Sequence, residues 1–115
     1  MASYTKLESQ EALDSVLDRS SGTVVVFKHS LTCPVSSAAL REFDAYLSAD
    51  AATADYYLIE VQRQRDLSRE VAQRTGVKHE SPQALVMRDG EVAWNASHWH
   101  ITQQSLTEAL SEEAA

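Results

Sequence analysis

The stretch VVVFKHSLTCPV, residues 24–35, decides the fold of this 115-residue chain. Its first four residues are β-branched or aromatic and apolar without alternation, the pattern of a strand that is covered on both faces. Apolar side chains then recur at helical spacing after Pro34, and a proline is tolerated there because the first turn of a helix leaves its amides without helical partners. The stretch predicts a buried strand over residues 24–27 and a helix over residues 34–48, with Cys33 at their junction.

Caps and turns mark the remaining elements. Ser9 and Thr102 are expected N-caps, because their hydroxyls can accept a backbone N–H of the first helical turn. Asp89 and Gly90 can adopt the positive φ values that a type I′ turn requires, which predicts an antiparallel hairpin. The further elements are a helix over residues 10–19, a strand over 55–61, a helix that ends at Gly76, hairpin strands over 83–88 and 91–96, and a helix after Thr102.

The resulting order αβαβαββα predicts the architecture. Two strands joined through a helix are expected to be parallel with a right-handed crossover, and the hairpin adds antiparallel strands to the same sheet. We therefore expect one α/β domain over residues 1–115, with a four-stranded mixed sheet flanked by helices. Residues 111–115 look like a frayed acidic tail.

Composition excludes several classes of function. The chain has 17 Asp and Glu against 10 Lys and Arg, a net charge of -7, and its basic residues are scattered. Nucleic acid and anionic membranes are therefore not expected partners. The apolar runs are far shorter than the ~20 residues that span a bilayer, and no secretion signal is visible, so the expected location is the cytoplasm. A single cysteine cannot form an internal disulfide.

Four segments carry a resemblance to a known family. The element order, a Cys-Pro at the start of a helix and a Ser-Pro before the hairpin are similar to those of the thioredoxin fold. The segments FKHS at 27–30, TCPVS at 32–36, HESPQ at 79–83 and ASHW at 96–99 resemble the monothiol bacilliredoxin family, also called YtxJ-like. The resemblance runs over nearly the whole chain and implies a thioredoxin-like fold and a thiol-disulfide oxidoreductase.

Cys33 is the candidate catalytic residue, with Pro34 beginning the helix behind it. The dipole and free amides of a helix N-terminus favour thiolate over thiol. Lys28 and His29 could add positive potential, and the Ser36 hydroxyl could donate to the sulfur. His29 is also a candidate proton relay, with a water-facing histidine as the alternative, and Lys28 a candidate contact for a carboxylate. A lone cysteine is more often a small buried apolar residue, but its place at a strand-to-helix junction favours a reactive thiol.

Ser36 determines the expected mechanism. In the dithiol members of the fold a second cysteine stands three positions after the first, and here that position is Ser36. Cys33 can attack a disulfide and become joined to it, yet no thiol of the chain can release it, so an external thiol must. The resemblance implies that Cys33 removes bacillithiol, a low-molecular-weight co-substrate, from S-bacillithiolated proteins, and that an external reductant regenerates the enzyme. No tightly bound cofactor is expected.

The resemblance also implies a substrate cleft facing Cys33. Thioredoxin-like proteins carry a cis proline there, which maps to Pro82, although an X-Pro bond taken alone is usually trans. The backbone of the preceding Ser81 would pair with the substrate. Thr32 and Glu80 are further candidates for substrate binding, and Glu80 could carry protons or reject the wrong anions. A solvated loop explains Glu80 and its neighbour about equally well.

The sequence His98-Trp99-His100 invites a metal interpretation. Two histidines spaced in this way lie on one side of an extended segment, but a structural zinc site usually needs four ligands, so no metal is expected. Trp99 could lie over the cleft as a substrate-binding residue or fill the space below the last helix. Core packing is the favoured interpretation.

Two other functions stay open from the sequence. One is an iron-sulfur carrier of the monothiol glutaredoxin type, in which Cys33 of two subunits and two small thiols would hold a cluster. The Gly-Phe that usually follows the active cysteine of that type is replaced here by Pro34-Val35. The other is a redox-inert, thioredoxin-like binding module in which Cys33 is merely packed.

Overall fold

The strand predicted from residues 24–27 is the centre of a five-stranded mixed sheet. The computed structural model describes residues 3–49 and 54–111. The strands are β1 (Tyr4–Lys6), β2 (Thr23–His29), β3 (Asp55–Glu60), β4 (Gln83–Arg88) and β5 (Glu91–Ser97); the helices are α1 (Gln10–Leu17), α2 (Pro34–Ala49), α3 (Arg65–Thr75) and α4 (Gln103–Ser111), with a 3-10 helix at His98–His100. The strand order is β1-β3-β2-β4-β5. β2 pairs parallel with β3 and antiparallel with β4, as the crossover and hairpin arguments predict.

The prediction of four strands is wrong by one. β1 adds a fifth strand at the edge, where it pairs parallel with β3 in the register Tyr4 opposite Tyr56. Three residues are too few to produce a strand signal, and only Tyr4 is partly buried. β1 is held by the backbone of its neighbour and by the ring of Tyr4, which stacks 6.0 Å from that of Phe43. Short edge strands of this kind also limit unwanted pairing with other chains.

Helices cover both faces of the sheet, so every residue of β2 is buried. Successive side chains of a strand point to opposite faces, and β2 therefore contributes to two separate cores. Val25 and Phe27 face α2 and α4, whereas Val24 and Val26 face α1 and α3. The first core is aromatic, with the rings of Phe27 and Phe43 stacked 5.0 Å apart.

The predicted caps and turns are confirmed. The hydroxyl of Ser9 accepts the N–H of Ala12 at 3.1 Å, and that of Thr102 accepts the N–H of Ser105 at 3.0 Å. Gly76 ends α3 in the left-handed conformation, and Asp89 and Gly90 have φ values of 53° and 85°. α1 ends at Leu17, two residues before the predicted end. Of the predicted tail, Ser111 is the last residue of α4, and residues 112–115 lie outside the described residues.

Four chain segments meet at one edge of the sheet. β2 and β3 are parallel and both end there, β4 runs the other way and begins there, and β5 ends there. The segment that follows β2, the segment that follows β3, residues 77–82 before β4 and the 3-10 helix after β5 are consequently neighbours. Cys33 and Pro82 therefore belong to the same edge.

Within residues 3–49 and 54–111, no helix combines the length and the apolar character that crossing a membrane requires.

Replacing Phe43 by alanine is expected to lower the free energy of unfolding by about 3–5 kcal/mol, because a fully buried ring is removed from the aromatic core. Phe43→Leu, which keeps more of the volume, should cost about 1 kcal/mol. Urea unfolding measures both. Asp44→Ala, at the next and exposed position of α2, is the control and should change the value by less than about 0.5 kcal/mol. Equal losses for Phe43→Ala and Asp44→Ala would contradict the packing argument.

Candidate active site

Cys33 occupies the last position before α2, which begins at Pro34. Its carbonyl accepts the N–H of Ser37 at 3.0 Å, the hydrogen bond that starts the helix. The residue is partly exposed and forms no disulfide. The thiol therefore lies at a helix N-terminus with access to solvent, where free backbone amides and the helix dipole favour an anion.

The hydroxyl of Ser36 joins the end of β2 to the first turn of α2. Ser36 is fully buried, and its Oγ accepts the backbone N–H of Ser30 at 2.8 Å. The same oxygen lies 2.8 Å from Nδ1 of His29. Ser36 thus fixes the two ends of the short segment that carries Cys33.

His29 is buried, with 8% of its surface exposed, so the interpretation as a water-facing histidine is wrong. Burial lowers the pKa of His29, which outweighs the opposing effect of Glu60 and Asp44, and the imidazole is neutral at pH 7. The Ser36 hydroxyl is thus held by two groups inside the protein, the Ser30 amide and the His29 ring. The lowered pKa corrects the expected positive charge on His29, whereas the expected donation from Ser36 to Cys33 stays a prediction.

Gln62 also holds the segment that carries Cys33, and sequence reasoning missed it. Its Oε1 accepts the N–H of Leu31 at 2.8 Å, and its Nε2 donates to the hydroxyls of Ser30 at 2.8 Å and Thr32 at 3.3 Å. Gln62 lies in the segment after β3, about 30 positions along the chain, so no local pattern connects it with Cys33. Thr32 is exposed beside the cysteine and is oriented by this amide.

The bond between Ser81 and Pro82 is cis, as the resemblance implies. Pro82 is buried, and its carbonyl accepts the N–H of His98 at 3.1 Å, which ties the proline to the 3-10 helix. The Ser81 hydroxyl is buried without a hydrogen-bond partner among the described residues. Ser81 and Pro82 lie at the edge of the sheet that also carries Cys33.

Lys28 is fully buried, with no exposed surface, and so cannot itself reach a substrate carboxylate or the solvent beside the thiol. It lies on the α1 and α3 face of the sheet, opposite the face that Phe27 occupies. Its Nζ lies 3.2 Å from Nδ1 of His79, which also lies 3.1 Å from the Ser68 hydroxyl. Burial lowers the pKa of Lys28 from its ordinary value of 10.5 to about 8. Burial and the charge of Lys28 together lower the pKa of His79.

Trp99 is 70% exposed, so its interpretation as a core residue is wrong. The 3-10 helix carries it outward beside a pocket of about 270 Å³ between this helix and α2, which Trp99 and His98 line from one side and Ala38 and Glu42 from the other. Glu80 lies 3.8 Å from His98, carboxylate oxygen to Nε2, at the same end of the molecule. Thr32, Glu80 and Trp99 are thus all accessible at or near the Cys33 edge, and their part in substrate binding stays a prediction.

No group of three or more His, Cys, Asp and Glu side chains that could hold a metal ion is found in the described part of the chain. His98 and His100 are both exposed, with Trp99 between them.

A cysteine at the start of α2, with a cis proline at the same edge of a mixed sheet, defines the class of thiol oxidoreductases with the thioredoxin fold. A family model described as monothiol bacilliredoxin BrxC matches residues 5–106. The chain therefore belongs to the monothiol bacilliredoxin family, as the four segments indicate.

Solved structures agree with this fold. One that is described as having a thioredoxin fold is 41% identical, covers 92% of each chain and superposes with a TM-score of 0.82. Thioredoxin from Trypanosoma brucei brucei is 13% identical, with a TM-score of 0.74 over 97% of this chain and 91% of its own. Reduced thioredoxin pre-protein from Schistosoma mansoni is 17% identical, with a TM-score of 0.72 over 96% of this chain and 98% of its own. The last two likenesses show the fold alone.

Ser36→Ala is expected to lower the free energy of unfolding by about 1–3 kcal/mol, because the buried N–H of Ser30 loses its acceptor. The exchange of the Ser30 amide with deuterium should accelerate as well, since the segment before Cys33 is no longer held. Ser37→Ala, one position further along the same helix, is the control and should leave the Ser30 amide unchanged. An unaltered Ser30 exchange rate in Ser36→Ala would show that this hydrogen bond does not hold the segment.

Lys28→Met is expected to remove part of the pH dependence of stability. Between pH 8 and 10.5 the unfolded chain still holds the Lys28 proton while the folded protein has released it, so the free energy of unfolding of the unmodified protein rises with pH in this window. The difference in free energy of unfolding between the unmodified protein and Lys28→Met should change by about 3 kcal/mol from pH 7 to pH 10.5. The change should favour the unmodified protein.

Urea unfolding at several pH values measures this difference. Lys78→Met, at an exposed position, is the control, and its difference from the unmodified protein should stay constant. A constant difference for Lys28→Met would mean that Lys28 titrates alike in both states.

Proposed function

We propose that the protein is a monothiol thiol-disulfide oxidoreductase that removes bacillithiol from S-bacillithiolated proteins through a mixed disulfide on Cys33. The observation that carries the proposal is the pairing of an accessible cysteine with a buried serine three positions later. The Ser36 hydroxyl is engaged by Ser30 and His29. The chain has one cysteine, so it supplies a nucleophile and no internal thiol to resolve the product.

The first step is a thiol-disulfide exchange. The Cys33 thiolate attacks the bacillithiol sulfur of the modified protein, and the disulfide between that protein and bacillithiol breaks. The electron pair of the broken bond leaves on the protein sulfur, which takes a proton from solvent and becomes a free thiol. Bacillithiol is then joined to Cys33, and no net oxidation has occurred.

The second step needs an external thiol. Its thiolate attacks the bacillithiol sulfur on Cys33, a new disulfide forms between bacillithiol and the external thiol, and the Cys33 thiolate leaves. The external thiol is oxidised in this exchange, and a reductant must regenerate it. Because this cycle requires reducing conditions, we place the activity in the cytoplasm.

The edge around Cys33 supplies the contacts that the first step needs. The backbone of Ser81, next to the cis proline, is the expected partner for the extended backbone of a client protein. Thr32 and Trp99 are exposed on either side of that position, and an exposed indole is well suited to cover a client side chain. Glu80, at the same end, would repel a client whose modified cysteine is flanked by acidic groups.

Incubation with a bacillithiol-capped client protein should transfer a single bacillithiol adduct to Cys33, visible as one mass increment of the intact protein. The client should regain its free thiol in the same amount. Without a second thiol the reaction should stop after one turnover per protein molecule, because nothing in the chain releases the adduct.

Cys33→Ala keeps the fold and removes the nucleophile, so it should receive no adduct. Transfer by the alanine variant at the rate of the unmodified protein would refute the proposal. A comparison of oxidised bacillithiol with oxidised glutathione in the same assay tests the thiol preference, and faster adduct formation from glutathione would refute the assignment of bacillithiol.

A further inference from the structure

A second pocket lies beside the segment that carries Cys33, on the α3 side of the sheet. It has a volume of about 220 Å³, and its lining, which we name the cationic pocket, consists of Val61, Arg65, Ser68, Arg69 and His79. The N–H of Val61 donates to the carbonyl of His29 at 2.9 Å, which attaches one wall to the end of β2. The next residue, Gln62, is the one that bonds to the segment before Cys33. The cationic pocket therefore adjoins the thiol-bearing segment.

The cationic pocket concentrates positive charge in a protein with a net charge of -7. Arg65 has no carboxylate within ion-pair distance in the described residues. Arg69 is paired at 2.6 Å with Asp66, an exposed surface pair of little energetic weight. Lys28 lies directly behind His79, and it also has no carboxylate partner among the described residues. Two arginines thus line a pocket in whose lining no acidic residue occurs, and Lys28 lies outside this lining, in contact with His79.

The interior behind His79 and Ser68 is polar, and some of its groups lack a hydrogen-bond partner among the described residues. Ser68 is buried, and His79 Nδ1 lies within hydrogen-bond distance of both the Ser68 hydroxyl and the Lys28 amine. Gln83 stands opposite Lys28 in the antiparallel register, so both side chains lie on the same face of the sheet. Gln83 is 2% exposed, and its Oε1 has no hydrogen-bond partner in the part of the chain that the structure describes. Buried polar groups are nearly always fully hydrogen-bonded, so an ammonium with a single partner and an amide oxygen with none among the described residues call for an explanation.

We infer that the cationic pocket binds the carboxylate groups of the low-molecular-weight thiol that Cys33 removes. This inference rests on the proposed function, because it assumes that a small thiol with carboxylate groups is joined to Cys33 through its sulfur. Gln62, next to Val61 of the lining, contacts the segment that carries Cys33, and Arg65 and Arg69 present planar guanidinium groups that match carboxylates. Lys28 adds long-range attraction from behind His79, in an interior where charges are weakly screened. An uncharged thiol would gain nothing from this arrangement.

Carboxylates could also come from acidic side chains of the client protein, and one experiment distinguishes the two sources. The Cys33→Ser variant, labelled with ¹⁵N, is titrated with S-methyl bacillithiol, which cannot react. We expect saturable shifts of the Ser68 and His79 amide signals. Arg65→Gln in the same background should weaken binding about fivefold, the scale of one exposed charge-assisted contact. Arg63→Gln, an exposed arginine outside the lining, should leave the dissociation constant unchanged.

Three results would overturn the inference. The first is an absence of shifts at Ser68 and His79. The second is equal binding by Arg65→Gln and Arg63→Gln. The third is that an acetylated and amidated Asp-Asp peptide binds in the cationic pocket more tightly than S-methyl bacillithiol. This result would assign the cationic pocket to carboxylates of the client protein. The titration uses an unreactive ligand and a variant without the thiol, so it is independent of the transfer assay on the unmodified protein. No binding in the titration, together with normal transfer to Cys33 in that assay, would leave the proposed function standing. Binding here without transfer to Cys33 would refute the proposed function, and only the affinity of the cationic pocket for the small thiol would stand.

Discussion

The buried hydroxyl of Ser36 is the interaction on which the site depends. A single oxygen joins the amide of Ser30 to the ring of His29, so the end of the central strand and the first turn of α2 cannot move independently. The segment between them, which carries Cys33, has little freedom as a result. The position that supplies a second thiol in dithiol members of the fold has instead a polar group with a structural role. The same residue therefore holds the segment of Cys33 and occupies the position of the second cysteine of dithiol members.

The central strand also separates two environments. Its alternate side chains build an aromatic core with α2 and α4 on one face and an aliphatic core with α1 and α3 on the other. At the end of the strand the two faces diverge further, with the neutral His29 on the first and the charged Lys28 on the second. Burial lowers the pKa of both groups, but only the amine keeps its charge at pH 7. The thiol-bearing segment is thus flanked by a neutral network and a cationic one.

Interactions between residues close together in the sequence made much of the fold predictable. The features that the sequence does not predict depend on packing between distant parts of the chain. The Ser9 cap and the Asp89-Gly90 turn involve only residues that are a few positions apart, so the sequence pattern is sufficient to predict them. Gln62 could not be found in this way, because its role depends on β2 and β3 being parallel neighbours. The prediction that Trp99 packs in the core is wrong for a related reason. Large aromatic residues are usually buried, but the 3-10 helix turns this one outward. Cys33 itself was identifiable because a helix start and a proline marked its position.

The orientation of Trp99 has a practical consequence. Its indole is largely in water, whereas Trp94 is partly buried against the aromatic core. Indole fluorescence responds to the polarity around the ring, so the emission of the free protein should be dominated at long wavelength by this one side chain. A macromolecule that covers the ring would move the emission toward shorter wavelength. The molecule therefore carries its own optical reporter of complex formation, at the end where the 3-10 helix meets α2, and needs no attached dye.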